Sequence, residues 1–174
     1  MIHTSQQAFQ LLESLDAPPR LILHAQLVSE VSTLLTETFL SLNLQLDKTL
    51  VEIGAILHDS GKIIHPLELA QSGSKHELAG ESLLLKNDVR PEIARICLTH
   101  AQWKNETCSL EELTVALSDK LWKGKREKEL ELLVIDKVAK LLNKDRWEIF
   151  VDLDAVFEDI AADGAQRLAR STQF

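Results

Sequence analysis

Apolar residues recur at helical spacing along almost the whole chain, whereas the strict alternation typical of strands is scarce. This pattern predicts an all-α fold. The first predicted helix is short and carries Phe9, Leu11, Leu12 and Leu15. Longer helices are predicted over 20–40, 48–57, 75–86, 91–103, 110–122, 130–142 and 146–170.

Two polar residues mark predicted helix starts. Asp47 and Ser109 are side chains of the kind that cap a helix N-terminus, and each precedes a helical pattern. The helix over 48–57 is apolar nearly all round, which predicts a central position in the fold. A loop is predicted through 60–62, followed by a turn near Pro66 and a polar stretch over 71–74.

The chain has 174 residues, which suits one domain with its own hydrophobic core. We expect a single helical bundle over 1–174. Its core would span about 20–126, and a C-terminal helical extension over about 130–170 would pack across the rest.

Composition and charge narrow the classes of function. The formal net charge is -8, which disfavours long nucleic acids as partners but not a small anionic substrate, because a metal ion or a few lysines can set the local field. Cys97 and Cys108 match no zinc-ribbon spacing and are expected to be reduced. The N-terminus lacks the pattern of a signal peptide, and no apolar stretch is long enough to cross a bilayer. We expect a soluble cytoplasmic protein.

The candidate chemistry lies in a series of histidines and aspartates. Imidazole and carboxylate are ligands that intermediate divalent metals prefer, and a catalytic metal needs several of them from different parts of the chain. One His-Asp dipeptide arises often by chance. The stronger signal is the ordered series His24, His58-Asp59, His76, His100 and Asp119, placed on helices that hold ligand geometry.

Three segments resemble the HD superfamily of metal-dependent phosphohydrolases. The sequence Leu-Ile-Leu-His-Ala-Gln-Leu-Val over 21–28 is similar to the family's first ligand helix. Gly-Ala-Ile-Leu-His-Asp-Ser-Gly-Lys over 54–62 resembles its central signature, and Ala-Leu-Ser-Asp-Lys-Leu over 116–121 resembles its last ligand helix. The resemblance covers roughly 20–126, and the combination is specific although each piece alone is not.

The resemblance implies a ligand set and an activity. His24, His58, Asp59 and Asp119 match the four family ligands of a first metal ion. Histidines in the places of His76 and His100 hold a second ion in the two-metal subgroups, where the central aspartate bridges both ions. The implied enzyme is a phosphohydrolase that uses a metal-bridging hydroxide on a phosphate ester or anhydride of a small nucleotide.

The implied cofactors are divalent metal ions, two in this ligand set. Fe, Mn, Co, Zn, Ni and Mg are not distinguishable from His and Asp ligands alone. Dinucleoside polyphosphate hydrolases and cyclic-dinucleotide phosphodiesterases of the family share this layout. The chain lacks the Gly-Tyr-Pro signature of the phosphodiesterases and contains no tyrosine, which argues against that subgroup.

Lys62 is the predicted cationic residue for catalysis and substrate binding, because a nearby positive charge stabilises the negative charge that develops on phosphoryl oxygens. Other cations could bind phosphate, but spacing does not select among them. They are Lys75, Lys104, Lys120, Lys123 and Arg126. Trp103 and Trp122 could wall a base-binding pocket or simply pack in the core, and His65 is expected at the surface or at the pocket rim.

Two alternative functions stay open on the sequence. One is a catalytically silent HD module that binds a nucleotide for regulation; the complete ligand series argues against it. The other is a di-iron oxygenase, which uses the same ligands. Neither the substrate nor the oligomeric state is fixed by the sequence, and a homodimer is a common arrangement for a small enzyme.

Overall fold

The computed structural model of the chain describes residues 2–172, and all regular structure in this part is helical. The α-helices in it are α1 (Ser5–Ser14), α2 (Pro19–Ser41), α3 (Lys48–Leu57), α4 (Lys75–Lys86), α5 (Pro91–Thr99), α6 (Leu110–Leu121), α7 (Lys128–Leu142), α8 (Arg146–Ala162) and α9 (Gly164–Arg170). Short 3-10 helices over Ser60–Ile63 and Pro66–Leu69 connect α3 to α4. The predicted all-α fold is confirmed.

The predicted helix caps are present. The Asp47 side chain accepts a hydrogen bond from the Leu50 backbone N–H at the start of α3. Ser109 and Glu112 form a reciprocal capping box at the start of α6, in which each side chain accepts from the other residue's backbone N–H. These caps satisfy donors that the first helical turn leaves without partners, and they fix where each helix begins.

Helix α3 lies at the centre of the fold, as its apolar sequence predicts. It packs against α1, α2, α5 and α6. Its side chains contribute to both hydrophobic clusters of the core: Val51 and Ala55 lie in the cluster built with α2, α6, α7 and α8, whereas Ile53 and Leu57 lie in the cluster built with α1 and α5. The end of α3 is therefore held firmly from several sides.

The helix predicted over 91–103 is shorter than expected. Helix α5 ends at Thr99, and the chain turns so that Trp103 packs in the core with 9% of its surface exposed. Burying an indole stabilises the fold by more than a further helical turn would, since helix propensity contributes only tenths of a kcal/mol per residue. The turn also leaves His100 at the end of α5.

The helix predicted over 146–170 is two helices. Helix α8 ends at Ala162, and α9 begins at Gly164. At this break the chain packs closely against the turn after α6: a Cβ atom on Gly164 would lie 2.2 Å from the Gly124 backbone nitrogen. Hydrophobic periodicity continues across the break and gives no sign of this contact.

The loop predicted through 60–62 is a hydrogen-bonded turn of 3-10 helix. The Lys62 N–H donates to the Asp59 carbonyl at 2.9 Å, and the Ile64 N–H donates to the Gly61 carbonyl at 3.0 Å. The backbone after α3 is therefore ordered by its own hydrogen bonds. Both cysteines are free, as expected. None of the helices within residues 2–172 combines the length and apolar character needed to cross a membrane.

Candidate metal centre

The structure brings all six predicted ligands to one place, although they come from five helices. His24 lies in the second turn of α2, His76 is the second residue of α4, and Asp119 lies near the end of α6. The other three follow helix ends: His58 and Asp59 come directly after α3, and His100 comes directly after α5. All of these side chains are buried or nearly so.

Four of the ligands form a first group around one point. The His24 Nε2 atom lies 3.1 Å from Asp59 Oδ2, 3.5 Å from Asp119 Oδ1 and 3.3 Å from His58 Nε2. His58 Nε2 lies 3.6 Å from both of those carboxylate oxygens. Ligand atoms bound at ordinary distances to one divalent ion lie about 3.0–3.5 Å from each other, so this spacing fits a metal ion.

A second group forms on the other side of Asp59. The Oδ1 atom of this carboxylate lies 3.2 Å from His76 Nε2 and 3.6 Å from His100 Nε2. The two oxygens of Asp59 thus face different groups of donors, Oδ2 the first and Oδ1 the second. A carboxylate placed in this way can bridge two ions.

The outer nitrogens of three histidines fix which ring atom faces the centre. The His58 Nδ1–H donates to the Ala55 carbonyl at 2.8 Å, and the His100 Nδ1–H donates to the Ile96 carbonyl at 3.1 Å. The His76 Nδ1–H donates to Glu68 Oε2 at 2.6 Å. Each Nε2 atom therefore keeps its lone pair for a ligand in the centre.

Buried polar atoms without partners provide an independent test of whether the site fits a metal. Asp59 Oδ1 and His76 Nε2 are fully buried, and among residues 2–172 neither has a hydrogen-bond partner. They lie 3.2 Å apart without the alignment of a hydrogen bond. Leaving such atoms unsatisfied costs about 1–3 kcal/mol each, which a bound cation would offset. The residues present fit a divalent metal.

The electrostatics of the centre also favour a cation. Burial alone would raise the pKa of Asp59, but the surrounding imidazoles, above all His58, hold the pKa well below its usual range. Burial likewise opposes ionisation of Asp119, yet its imidazole neighbours, above all His24, keep the pKa of that carboxyl well below its usual range. Both carboxylates are therefore charged and ready to bind a positive ion.

The imidazoles respond to the same field in different ways. Burial lowers the pKa of His100 to about 4, so His100 is neutral and able to act as a ligand. Burial opposes protonation of His24, but hydrogen bonds to Asp119 and Asp59 raise its pKa to about 9. In the metal-free protein His24 supplies a positive charge at the point between the two carboxylates.

The centre lies in a pocket of about 580 Å³. Lys62 lines it, and its Nζ donates to Asp59 Oδ2 at 2.6 Å, which places the predicted cation beside the centre. Lys120 also lines the pocket and donates to Asp119 Oδ2 at 3.0 Å. The indole of Trp122 forms one wall, with its ring edge-on to His24 at 5.1 Å between centroids.

The structure shows which of the other candidate residues line the pocket, a question on which the sequence did not select among them. Lys123 lines the pocket together with Lys120, whereas Lys75, Lys104 and Arg126 do not. Trp122 lines it and Trp103 does not. His65 does not line it either; it is half-buried and precedes the 3-10 helix over Pro66–Leu69.

Sequence reasoning missed several residues of the pocket. Glu68 holds His76 from a connecting segment, where no periodic pattern selects it. Arg20, at the start of α2, and Leu168 and Ser171, from the C-terminal end of the chain, also line the pocket. They are distant from the motifs, and only the folded chain brings them to the site.

In the comparison with protein families, the HD domain matches residues 22–144, which is more than half of the chain. Comparisons with curated proteins and with solved structures found no match. The family match includes all six candidate ligands and spans the five helices that position them, α2 in large part and the other four in full. The chain therefore belongs to the HD domain family, whose members are generally metal-dependent phosphohydrolases.

Proposed function

We propose that this chain is a metal-dependent hydrolase of phosphate ester or anhydride bonds in a small nucleotide, working with two divalent ions. The observation that carries the proposal is the position of Asp59, whose two oxygens face separate groups of buried donors. A structural ion pair would need only one of those groups.

The two ions would be held by this chain alone. His24, His58, Asp59 and Asp119 would hold the first, and Asp59, His76 and His100 would hold the second. Ions bound there lower the pKa of a water molecule, polarise a phosphoryl oxygen and orient the attack, so hydrolysis needs no side-chain nucleophile. The reaction breaks the bond from phosphorus to the leaving oxygen, and water supplies the new oxygen.

The residues around the centre support a small anionic substrate. The pocket of about 580 Å³ has the size of an ordinary small-molecule site. Arg20 and Lys123 line it, and neither forms an ion pair with any residue in 2–172, so both can bind phosphate oxygens. The part of the Trp122 indole that lines the pocket can contact a nucleotide base. Cations on more than one side of the pocket can bind a substrate with several phosphates, such as a dinucleoside polyphosphate.

Lys62 is proposed to stabilise the charge that develops on the phosphoryl oxygens. Its side chain is 18% exposed and its ammonium group is already held at the centre by Asp59. We expect Lys62→Ala to lower kcat by about 10²-fold, because a positioned cation acts mainly on the transition state. Steady-state kinetics on the best substrate measures this.

The exposed Lys86 at the end of α4 provides a matched control for Lys62, since Lys86→Ala removes the same charge outside the pocket. That variant should keep the kcat of the unaltered protein. Equal kcat values for Lys62→Ala and Lys86→Ala would show that Lys62 has no part in the reaction.

The activity itself is tested with a panel of nucleotides. We expect the purified protein, loaded with Mn²⁺, Fe²⁺ or Co²⁺, to release phosphate or a nucleoside phosphate from at least one compound. The panel should include nucleoside mono-, di- and triphosphates, cyclic nucleotides and dinucleoside polyphosphates. Product analysis by chromatography shows which bond is cut.

The panel is repeated with His58→Ala, which should retain the fold but lose turnover, because one ligand of the first ion is gone. Turnover that is equal in both proteins would point to a contaminant and refute the proposed site. Metal binding without hydrolysis of any compound, together with oxygen consumption, would instead support a di-iron oxygenase.

A further inference from the structure

Glu68 accepts an unusual set of hydrogen bonds for a residue in a connecting segment. Its Oε2 atom accepts from His76 Nδ1 at 2.6 Å and from the His76 backbone N–H at 3.1 Å. Its Oε1 atom accepts from the Lys75 backbone N–H at 3.2 Å. Three donors thus hold one carboxylate in a single orientation, with 11% of the side chain exposed.

Two of these bonds cap helix α4 from outside. Ser74 occupies the N-cap position of α4, but its side chain makes no capping hydrogen bond. The first backbone N–H groups of a helix have no partner inside the helix, and Glu68 provides one for Lys75 and for His76. The carboxylate is therefore anchored to the backbone and does not depend on the His76 side chain for its place.

The third bond acts on the imidazole ring. An ionised carboxylate only accepts hydrogen bonds, so His76 Nδ1 must carry the proton and Nε2 faces Asp59 Oδ1. The rings of His58 and His100 are held in the same way, but by neutral backbone carbonyls. A charged partner makes the imidazole a stronger ligand than a neutral partner does.

The backbone of Gly73 lies close to the same carboxylate. A Cβ atom at this position would lie 2.4 Å from Glu68 Cδ and Oε1, which is closer than any real contact. The backbone of Gly73 is not in the left-handed region, so alanine would be strained only by this contact. The polar stretch over 71–74 thus leaves room for Glu68 where a side chain would displace it.

We propose that Glu68 is a positioning residue for the second metal ion: its carboxylate orients the His76 ring, and Gly73 gives it the room to do so. The inference rests on the proposed two-metal function. Glu68 is not itself proposed as a ligand of either ion. It acts through His76, so its loss should weaken the second ion and leave the first in place.

The test is titration of the metal-free protein with Mn²⁺ by calorimetry, with bound ions counted by metal analysis. We expect two sites in the unaltered protein. In Glu68→Ala the second site should weaken by about 10–100-fold, while the affinity of the first changes little. Gly73→Ala keeps the carboxylate but displaces it, and should weaken the second site in the same way.

Two controls separate positioning from helix capping and from charge. Adding Ser74→Asp to Glu68→Ala supplies α4 with a new cap and should restore the thermal midpoint without restoring second-site affinity. Glu92, exposed in the first turn of α5, provides the charge control: Glu92→Ala should leave both sites unchanged.

The possible results distinguish a failure of the Glu68 role from a failure of the proposed two-metal function. No Mn²⁺ bound by the unaltered protein would overturn the two-metal function and this inference with it. Two sites in the unaltered protein with equal second-site affinity in Glu68→Ala would overturn the inference alone. Restoration of that affinity by Ser74→Asp would also overturn it, because Glu68 would then be only a helix cap.

Discussion

Asp59→Asn should abolish binding of both metal ions and lower hydrolysis by at least about 10³-fold. Asparagine has nearly the same shape, but it carries no charge and its amide nitrogen cannot serve as a ligand. Both ions would therefore lose their shared negative ligand, and one of the two groups of donors would face an N–H instead of an oxygen. In the proposed assignment no other side chain is a ligand of both ions, so no other single change should have this double effect.

Metal analysis and turnover on the best substrate measure the effect of Asp59→Asn. Asp88 offers a matched control: it is exposed and has a left-handed backbone, with φ 56°, where asparagine is well tolerated. Asp88→Asn should keep full metal content and activity. Retention of two bound ions by Asp59→Asn would disprove the bridging role of Asp59.

The second large effect is expected for Gly61→Ala, through the fold. A Cβ atom on Gly61 would lie 1.8 Å from the His76 carbonyl oxygen and 2.6 Å from the Gly80 nitrogen. Both neighbours are backbone atoms of α4, so the 3-10 helix and α4 would have to move apart. We expect the free energy of unfolding to fall by about 3 kcal/mol or more, because overpacking against backbone has no cheap relaxation.

Urea unfolding measures the loss of stability, and metal titration reports the accompanying displacement of His76 from Asp59. Gly80→Ala provides the graded comparison, because a Cβ atom there would meet Cys97 Sγ and the Gly61 nitrogen at 3.0 Å. Gly80→Ala should lower the free energy of unfolding clearly less than Gly61→Ala does. Equal unfolding midpoints for Gly61→Ala and the unaltered protein would show that the close approach of these segments is not required.

The sequence was sufficient for the all-α fold and for selecting six candidate ligands that the folded chain brings together, for a physical reason. Ligands such as His58 and His100 lie at the ends of helices whose apolar periodicity is strong, so their position relative to the core follows from the pattern. The resemblance of the segment around His58-Asp59 to the HD family then matched the candidates, in chain order, to the family's ligand positions. The structure brings every one of the six candidates to one centre.

The sequence was not sufficient where contacts join segments without periodic structure. Glu68 reaches His76 from a 3-10 helix, and the break between α8 and α9 depends on a contact between Gly124 and Gly164. Likewise, Trp103 and Trp122 could not be told apart until the turn after α5 was known. Such features depend on the path of the chain through space, which local pattern does not encode.

Several expectations from the sequence stay predictions. They concern the organisation of the chain as one domain, the nucleotide nature of the substrate, the cytoplasmic location and a homodimer. The metal, catalytic and substrate-binding roles of the individual residues are likewise proposals that the variants described above test.

The positions of His58 and His100 have a consequence that does not depend on their side chains. Each is the C-cap residue of its helix, so α3 and α5 both end at the metal centre. The carbonyl end of a helix carries a macrodipole charge of about -0.5, and two such ends meet here beside Asp59 and Asp119. These two helix ends attract cations, and they outnumber the one positive helix end that residues 2–172 place at the centre, the start of α4 beside His76. Replacing any one ligand leaves this contribution in place, because the helix ends are unchanged by the identity of a side chain.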